Sequence, residues 1–179
     1  MFDGTTIAHL PEAEEKADAD FHAIYLRNIR RVYRLCYLRL GHKEDAEDAA
    51  QNVFARWLRA GTVFESEEHE KAYFLRAACN ESNNVRKSFW RLHRVDYEDI
   101  PEQETAVWDD IPEENDLLKA LPPRYREVLY LYYYEELTTA EIAKLLSRNE
   151  STVRTQLQTG RDRLREYFTA PQEPAEKRR

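Results

Sequence analysis

Apolar positions recur along this chain at intervals of three and four residues, the spacing of helices that bury one face. Tyr25, Ile29, Val32, Cys36 and Leu40 mark an amphipathic helix over residues 20–40. Gly41 stops it, because glycine readily takes the left-handed conformation beyond a helix end. "HKEDAEDAAQNVFARWLRA" predicts a second helix with Ala46, Ala50, Val53, Phe54 and Trp57 on its inner face. Glu44, Asp45, Glu47 and Asp48 crowd its start, where carboxylates suit the helix dipole. "GTVFESEEHE" reads as a loop, and Lys71 to His93 as a third helix with Tyr73, Phe74, Ala77, Ala78 and Val85 inward.

The pattern then breaks. Val95 to Asp116 carries Pro101, Pro112 and ten acids without a base, the composition of a linker. Periodicity resumes at Leu117, Leu118 and Leu121. Pro122 and Pro123 open a helix that continues through Tyr125, Val128, Leu129 and Tyr132, since proline is tolerated in a first turn. Within "YLYYYEE", Tyr132 and Tyr133 are expected to pack in the core with their hydroxyls at its edge. "EIAKLLSRNESTVRTQL" reads as two helices joined by a tight turn. Ile142, Leu145 and Leu146 form one apolar stripe, and Val153 and Leu157 the other. Thr138 or Thr139 caps the first, with Glu141 as the acid of a capping box, and Asn149 or Ser151 caps the second, which runs to about Phe168.

The expected fold is all-α: two small helical domains joined by an acidic linker, the C-terminal one a helix-turn-helix. The divisions are an acidic flexible lead (1–19), a first domain (20–94), the linker (95–114), a second domain (115–168) and a polar tail (169–179). Four glycines in 179 residues and few β-branched runs agree with helices throughout. No apolar run is long enough to span a bilayer, and the acidic start lacks the order of a signal peptide, so a cytoplasmic location is expected. Cys36 and Cys79 lie far apart with no metal-ligand spacing and read as reduced packing residues.

The formal charge of −7 looks wrong for nucleic acid until its distribution is considered. Lys71 to Arg94 nets +5 and Lys144 to Arg165 nets +4, whereas Val95 to Asp116 nets −10. DNA responds to local potential within about 8–10 Å, so two basic faces across an acidic spacer are compatible with two DNA contacts. The Thr, Arg and Gln side chains on the second helix of the helix-turn-helix can reach phosphates and base edges, though a plain helical bundle would show the same apolar stripe. Asn80 to Arg94, with Phe89 and Trp90, reads equally as a single-strand platform or as a solvated helix face. There is no P-loop or glycine-rich nucleotide turn, and the five histidines are scattered. No enzyme activity, cofactor, metal or small-molecule substrate is expected.

In order and spacing, three stretches together resemble the sigma factors of bacterial RNA polymerase, in the small two-domain extracytoplasmic-function (ECF) class of the sigma-70 family. "DAEDAAQNVFARWL" is similar to the segment that docks on core polymerase. "AYFLRAACNESNNVRK" is similar to the segment that melts and holds the −10 element. "LPPRYREVLYLYYYEELTTAEIAKLLSRNESTVRTQLQTGRDRLR" is similar to the −35-reading domain. The resemblance implies core polymerase (β′ coiled coil and β flap) and promoter DNA as partners, with an anti-sigma factor as a further one. It implies core contact through Asp48, Gln51, Asn52 and Arg56. It implies −10 contact through Phe64, Glu65, Ser66, Asn80, Asn83, Asn84, Arg86, Lys87 and Arg91. It implies −35 contact through Ser151, Thr152, Arg154, Thr155, Gln158 and Arg161. The chain departs from the family pattern where the family usually has glycine at Ser147 and an apolar residue at Arg148, so the turn must hold a left-handed residue without glycine. Other departures are Asn52, Tyr73, Cys79 and Asn84. The alternatives are a free-standing helix-turn-helix regulator and a helical adaptor that binds only protein.

Overall fold

The computed structural model describes the backbone of residues 12–93, 118 and 121–169, and the side chains of residues 20–88, 118 and 121–169. The expected linker, most of the lead and nearly all of the tail therefore lie outside the described residues, as do the side chains of Phe89, Trp90 and Arg91. The described elements are all helices: α1 (Glu12–Leu40), α2 (Lys43–Ala60), α3 (Glu67–His93), α4 (Pro123–Tyr133), α5 (Thr139–Leu146) and α6 (Glu150–Thr169). No helix among the described residues is long and apolar enough to cross a membrane.

Helices α1 to α3 pack on one another around Val32, Leu35, Phe54, Trp57, Phe74 and Ala78, all buried. Burying each of the larger of these side chains contributes roughly 1.5–3 kcal/mol. Cys36 and Cys79 are buried in the same core and unbonded to each other. Burial pushes the Cys36 thiol up to about 11 and raises that of Cys79, so neither is a reactive thiolate. Helices α4 to α6 bury Leu118, Leu121, Val128, Leu129, Ile142, Val153 and Leu157.

Two boundaries differ from the sequence expectation. Helix α1 begins at Glu12, inside what reads as the acidic lead. "EAEEKADAD" lacks an apolar stripe but is rich in Ala and Glu, which favour helix without tertiary help. Helix α3 begins at Glu67, four residues before Lys71. Ser66 caps it, its hydroxyl accepting the His69 N–H at 3.1 Å, and Glu67, Glu68 and Glu70 occupy the first turn.

The aromatic segment also differs. Tyr130 is the buried tyrosine, its hydroxyl donating to Glu135 at 2.7 Å, whereas Tyr132 is half-buried and Tyr133 exposed. Helical periodicity misplaces them because α4 has no free face over six residues. Arg126 to Leu131 are all buried, since α1 covers the side that α5 and α6 leave open.

Candidate nucleic-acid and polymerase interface

Three exposed surfaces carry the residues singled out by the sequence. The first lies on α2. Asp48, Gln51, Asn52 and Arg56 share one exposed stripe, opposite Ala49, Ala50, Val53 and Trp57. The stripe is tied to α3 at one end, where Arg56 donates to the buried Glu81 at 2.7 Å. Asn84 also donates to Glu81, at 3.4 Å.

The second surface surrounds the α2–α3 loop. Gly61 takes a left-handed conformation (φ 60°) beyond α2, and the Trp57 indole N–H donates to the Thr62 carbonyl at 3.0 Å. The loop then folds back so that Phe64 lies over Trp57, with centroids 6.0 Å apart, and packs edge-on against Tyr73. Phe64, Glu65 and Ser66 line an open cavity of about 530 Å³. Its other wall is α1, through Phe21, Ile24 and Arg27, which the sequence reading did not single out. Phe21 stacks on Trp57 at 5.1 Å. Arg27 holds a bidentate pair with Glu70 at 3.1 and 2.7 Å. Glu70 is buried, which pushes its carboxyl up. Hydrogen bonds from Arg27 and the buried Asn28 outweigh that and hold it below the usual carboxylate value.

Asn80 does not line this cavity. It lies farther along α3, on an exposed strip with Asn83, Asn84 and Lys87, beside the half-buried Arg86. Asn83 accepts a hydrogen bond from Arg39 of α1 at 2.8 Å. The expected −10 residues thus occupy two neighbouring places, an aromatic-walled cavity and an amide-rich helix face. Arg91 belongs to the same helix, but its side chain is outside the described residues.

The third surface is α6. Val153, Leu157 and Gly160 are buried, and Ser151, Thr152, Arg154, Thr155 and Gln158 are exposed. Within the helix Arg154 pairs with Glu150 at 2.7 Å and Gln158 donates to Asp162 at 3.0 Å. Arg161 turns back onto its own unit: its Nε donates to the Tyr133 hydroxyl at 2.9 Å, and its guanidinium lies over the Tyr132 and Tyr133 rings. Helix α6 starts at Glu150, so Asn149 holds the cap position and Ser151 lies in the first turn.

The preceding turn holds both Ser147 and Arg148. Thr138 and Glu141 form a full capping box at the start of α5. At its end Ser147 adopts the left-handed conformation (φ 54°, ψ 45°), and the Arg148 N–H closes on the Ala143 carbonyl at 2.9 Å. Arg148 then reaches Glu127 of α4 at 3.0 Å and Gln156 of α6 at 3.1 Å, so one guanidinium joins two helices across the turn. Among the described residues no group of His, Cys, Asp and Glu could hold a metal ion.

Comparison with known proteins agrees with this geometry. Residues 24–91 match the family model Sigma-70 region 2, and residues 115–164 match Sigma-70, region 4. The RNA polymerase sigma-E factor of Streptomyces coelicolor is 32% identical over 136 residues, covering 70% of this chain and 73% of its own. The chain belongs to the ECF sigma factors of the sigma-70 family. The ECF RNA polymerase sigma factor SigW of Bacillus subtilis is 28% identical, covering 90% of this chain and 94% of its own. The sigma factor RpoE of Bartonella quintana, solved in complex with the anti-sigma factor NepR, shares the fold. Its TM-score is 0.64 at 16% identity, over 84% of this chain and 98% of that one. In this sigma factor the region 2 match covers most of α1 and α2 and all but the end of α3. The region 4 match covers α4, α5 and most of α6.

Proposed function

We propose that this sigma factor works in the cytoplasm, bringing core RNA polymerase to a restricted promoter set through two DNA-binding domains, residues 20–94 and 115–168, joined by the acidic linker 95–114. The lead 1–19 and tail 169–179 flank them. Catalysis belongs to the polymerase. Asp48, Gln51, Asn52 and Arg56 dock on the β′ coiled coil, and the region 4 unit meets the β flap.

The observation that carries this reading is the pairing, in one chain, of an aromatic-walled cavity beside an amide-rich helix with a helix-turn-helix whose outer face is polar. Unstacking a base from a duplex costs a few kcal/mol. A cavity lined by Phe64, Glu65 and Ser66 returns that by stacking and edge hydrogen bonds, while Asn80, Asn83 and Asn84 offer amides to bases. Arg86, Lys87 and Arg91 then hold the strand's phosphates. Ser151, Thr152, Arg154, Thr155 and Gln158 read or clamp the −35 major groove, and Arg161 steadies the helix through Tyr133 while remaining near the phosphates. An anti-sigma factor is a further partner.

The test is run-off transcription with purified protein and core polymerase on an open set of promoter fragments. The expected outcome is a stable core complex and transcripts from a subset of fragments. A free-standing regulator would instead bind duplex DNA as a dimer and give no promoter-dependent transcript.

A further inference from the structure

Helix α6 is seated in its unit by a narrow stripe. Its buried residues are Val153, Leu157 and Gly160. At about 100° per residue they span an arc of only about 60°, against the 100° or so of most amphipathic helices. Gly160 adds no side chain to that arc. Apolar packing is non-directional, so a stripe this narrow holds the helix against its neighbours but defines its rotation about its own axis weakly.

Polar ties on both flanks of the stripe supply the missing direction. On one flank stands Arg148, which is bonded to all three helices of the unit. Its backbone N–H donates to the Ala143 carbonyl of α5 at 2.9 Å. Its Nη2 donates to the buried Glu127 of α4 at 3.0 Å, and its Nη1 to Gln156 of α6 at 3.1 Å. A guanidinium is a planar fork of donors with no acceptor, so it fixes the direction of both partners at once. On the other flank the Thr139 hydroxyl, at the start of α5, donates to Oε1 of Glu150 at 2.6 Å. The same oxygen accepts from Arg154 at 2.7 Å. Glu150 and Gln156 lie three residues before and three residues after Val153. They therefore stand about 60° to either side of it, and the two ties oppose rotation in opposite senses.

We propose that Arg148, through Glu127 and Gln156, and Thr139, through Glu150, fix the roll of α6 and are positioning residues for −35 sequence choice. This rests on the reading of the outer face of α6 as the −35 contact. Side chains on that face lie about 5–6 Å from the helix axis, so a roll of about 20° moves them by about 2 Å. Hydrogen bonds to base edges are made at about 2.7–3.2 Å and weaken steeply when misaligned. A roll of that size therefore loses contacts or exchanges one base preference for another. Arg154 is held twice, by the roll of its helix and by the carboxylate that Thr139 anchors. Arg148 and Thr139 act on specificity without themselves touching a base.

The test is run-off transcription by the full chain with core polymerase on two promoter libraries, one varied at −35 and one at −10. Discrimination is the ratio of transcript from the preferred sequence to that from its single-base variants. The double variant Arg148→Met, Thr139→Val should lose about fivefold or more of its −35 discrimination, as when one base contact is lost. Its −10 profile should stay as in the native chain. Each single change should lose less, because one tie still resists rotation. Gln156→Met removes only the α6 end of the fork and should reproduce the profile of Arg148→Met. Arg148→Lys should fall between, since an ammonium is a point charge without the fork. In Arg148→Met the carboxylate of Glu127 keeps Arg39 of α1 as a partner, so the fold should survive, and helical content and the thermal midpoint check this. Loss of transcript by one common factor from every −35 sequence would mean a merely structural role and would overturn the proposal. So would a double variant as selective as a selective native chain. A native chain selective at −10 but indifferent at −35 would instead overturn the −35 reading, and the proposal with it.

Discussion

A Cβ placed on Gly160 would lie 2.9 Å from Cδ1 of Leu129 and 3.4 Å from Cβ of Tyr125. Helix α6 can therefore approach α4 only because this position has no side chain. Gly160→Ala gains about 1 kcal/mol of helix propensity but forces Leu129 from its place, and overpacking of this kind costs about 1–3 kcal/mol. The Tyr125 contact is an ordinary van der Waals one, so Leu129, whose Cγ would also lie at 3.3 Å, is the side chain that must give way. The expected net change in urea denaturation is a loss of about 1 kcal/mol, and Gly160→Val should lose more. A stabilised Gly160→Ala protein would mean that Leu129 repacks freely.

Ser147 holds a left-handed conformation that is unfavourable for a residue with a Cβ, by roughly 1–2 kcal/mol. Ser147→Gly removes that strain but loosens the unfolded chain, so the expected net gain is about 0.5–1 kcal/mol. Chemical denaturation of the full chain checks it. The −35 preference should not change, because Ser147 lies in the turn before α6.

Glu70 has a carboxyl pushed up by burial and held down more strongly by Arg27 and Asn28, so its folded-state pKa is depressed. A depressed carboxylate adds stability above its unfolded pKa, near 4.3, and loses it as pH falls through the lower folded value. Glu70→Gln should therefore be less stable than the native chain at pH 7. The difference should shrink as pH falls below about 4.3. Thermal melts from pH 3 to 7 measure this, and a constant difference across the range would count against the carboxylate as its source.

Arg154 is exposed on α6, paired only along the helix with Glu150 among its salt bridges in the described residues. If it reads a base, Arg154→Ala should weaken −35 use by about 1–3 kcal/mol and relax preference at one position. The thermal midpoint should hardly move, since exposed i,i+4 pairs add little to stability. Transcription from a library of −35 variants provides the measurement, and an unchanged profile would remove Arg154 from the interface.

Much of the fold was legible because helices write themselves at short range. The stripe Ala46, Ala50, Val53, Phe54 and Trp57, the Thr138–Glu141 box and Pro123 at the start of α4 are local patterns with local causes. The Ser66 cap was equally local and was missed, although serine before three acids is the usual signal of a helix start. Of the candidate site, the exposed faces of α2 and α6 follow from periodicity alone. The α1 wall of the cavity does not, since nothing near Phe21 or Arg27 in the sequence points to Phe64.

By itself the sequence determined an all-helical chain, a helix-turn-helix with a polar outer face, and segregated charge that allows two DNA contacts in an acidic protein. Each follows from spacing within a few residues or from summed charge. Only the tertiary structure decided that Tyr130, not Tyr133, is buried, that Arg148 spans the turn to Glu127, and that Arg31 and Arg39 reach carboxylates about ninety to one hundred positions away. The reason is that α4 packs between its own unit and α1. A helix enclosed on all sides loses the one-faced pattern on which sequence reading depends, and pairing between distant charges leaves no trace in local spacing.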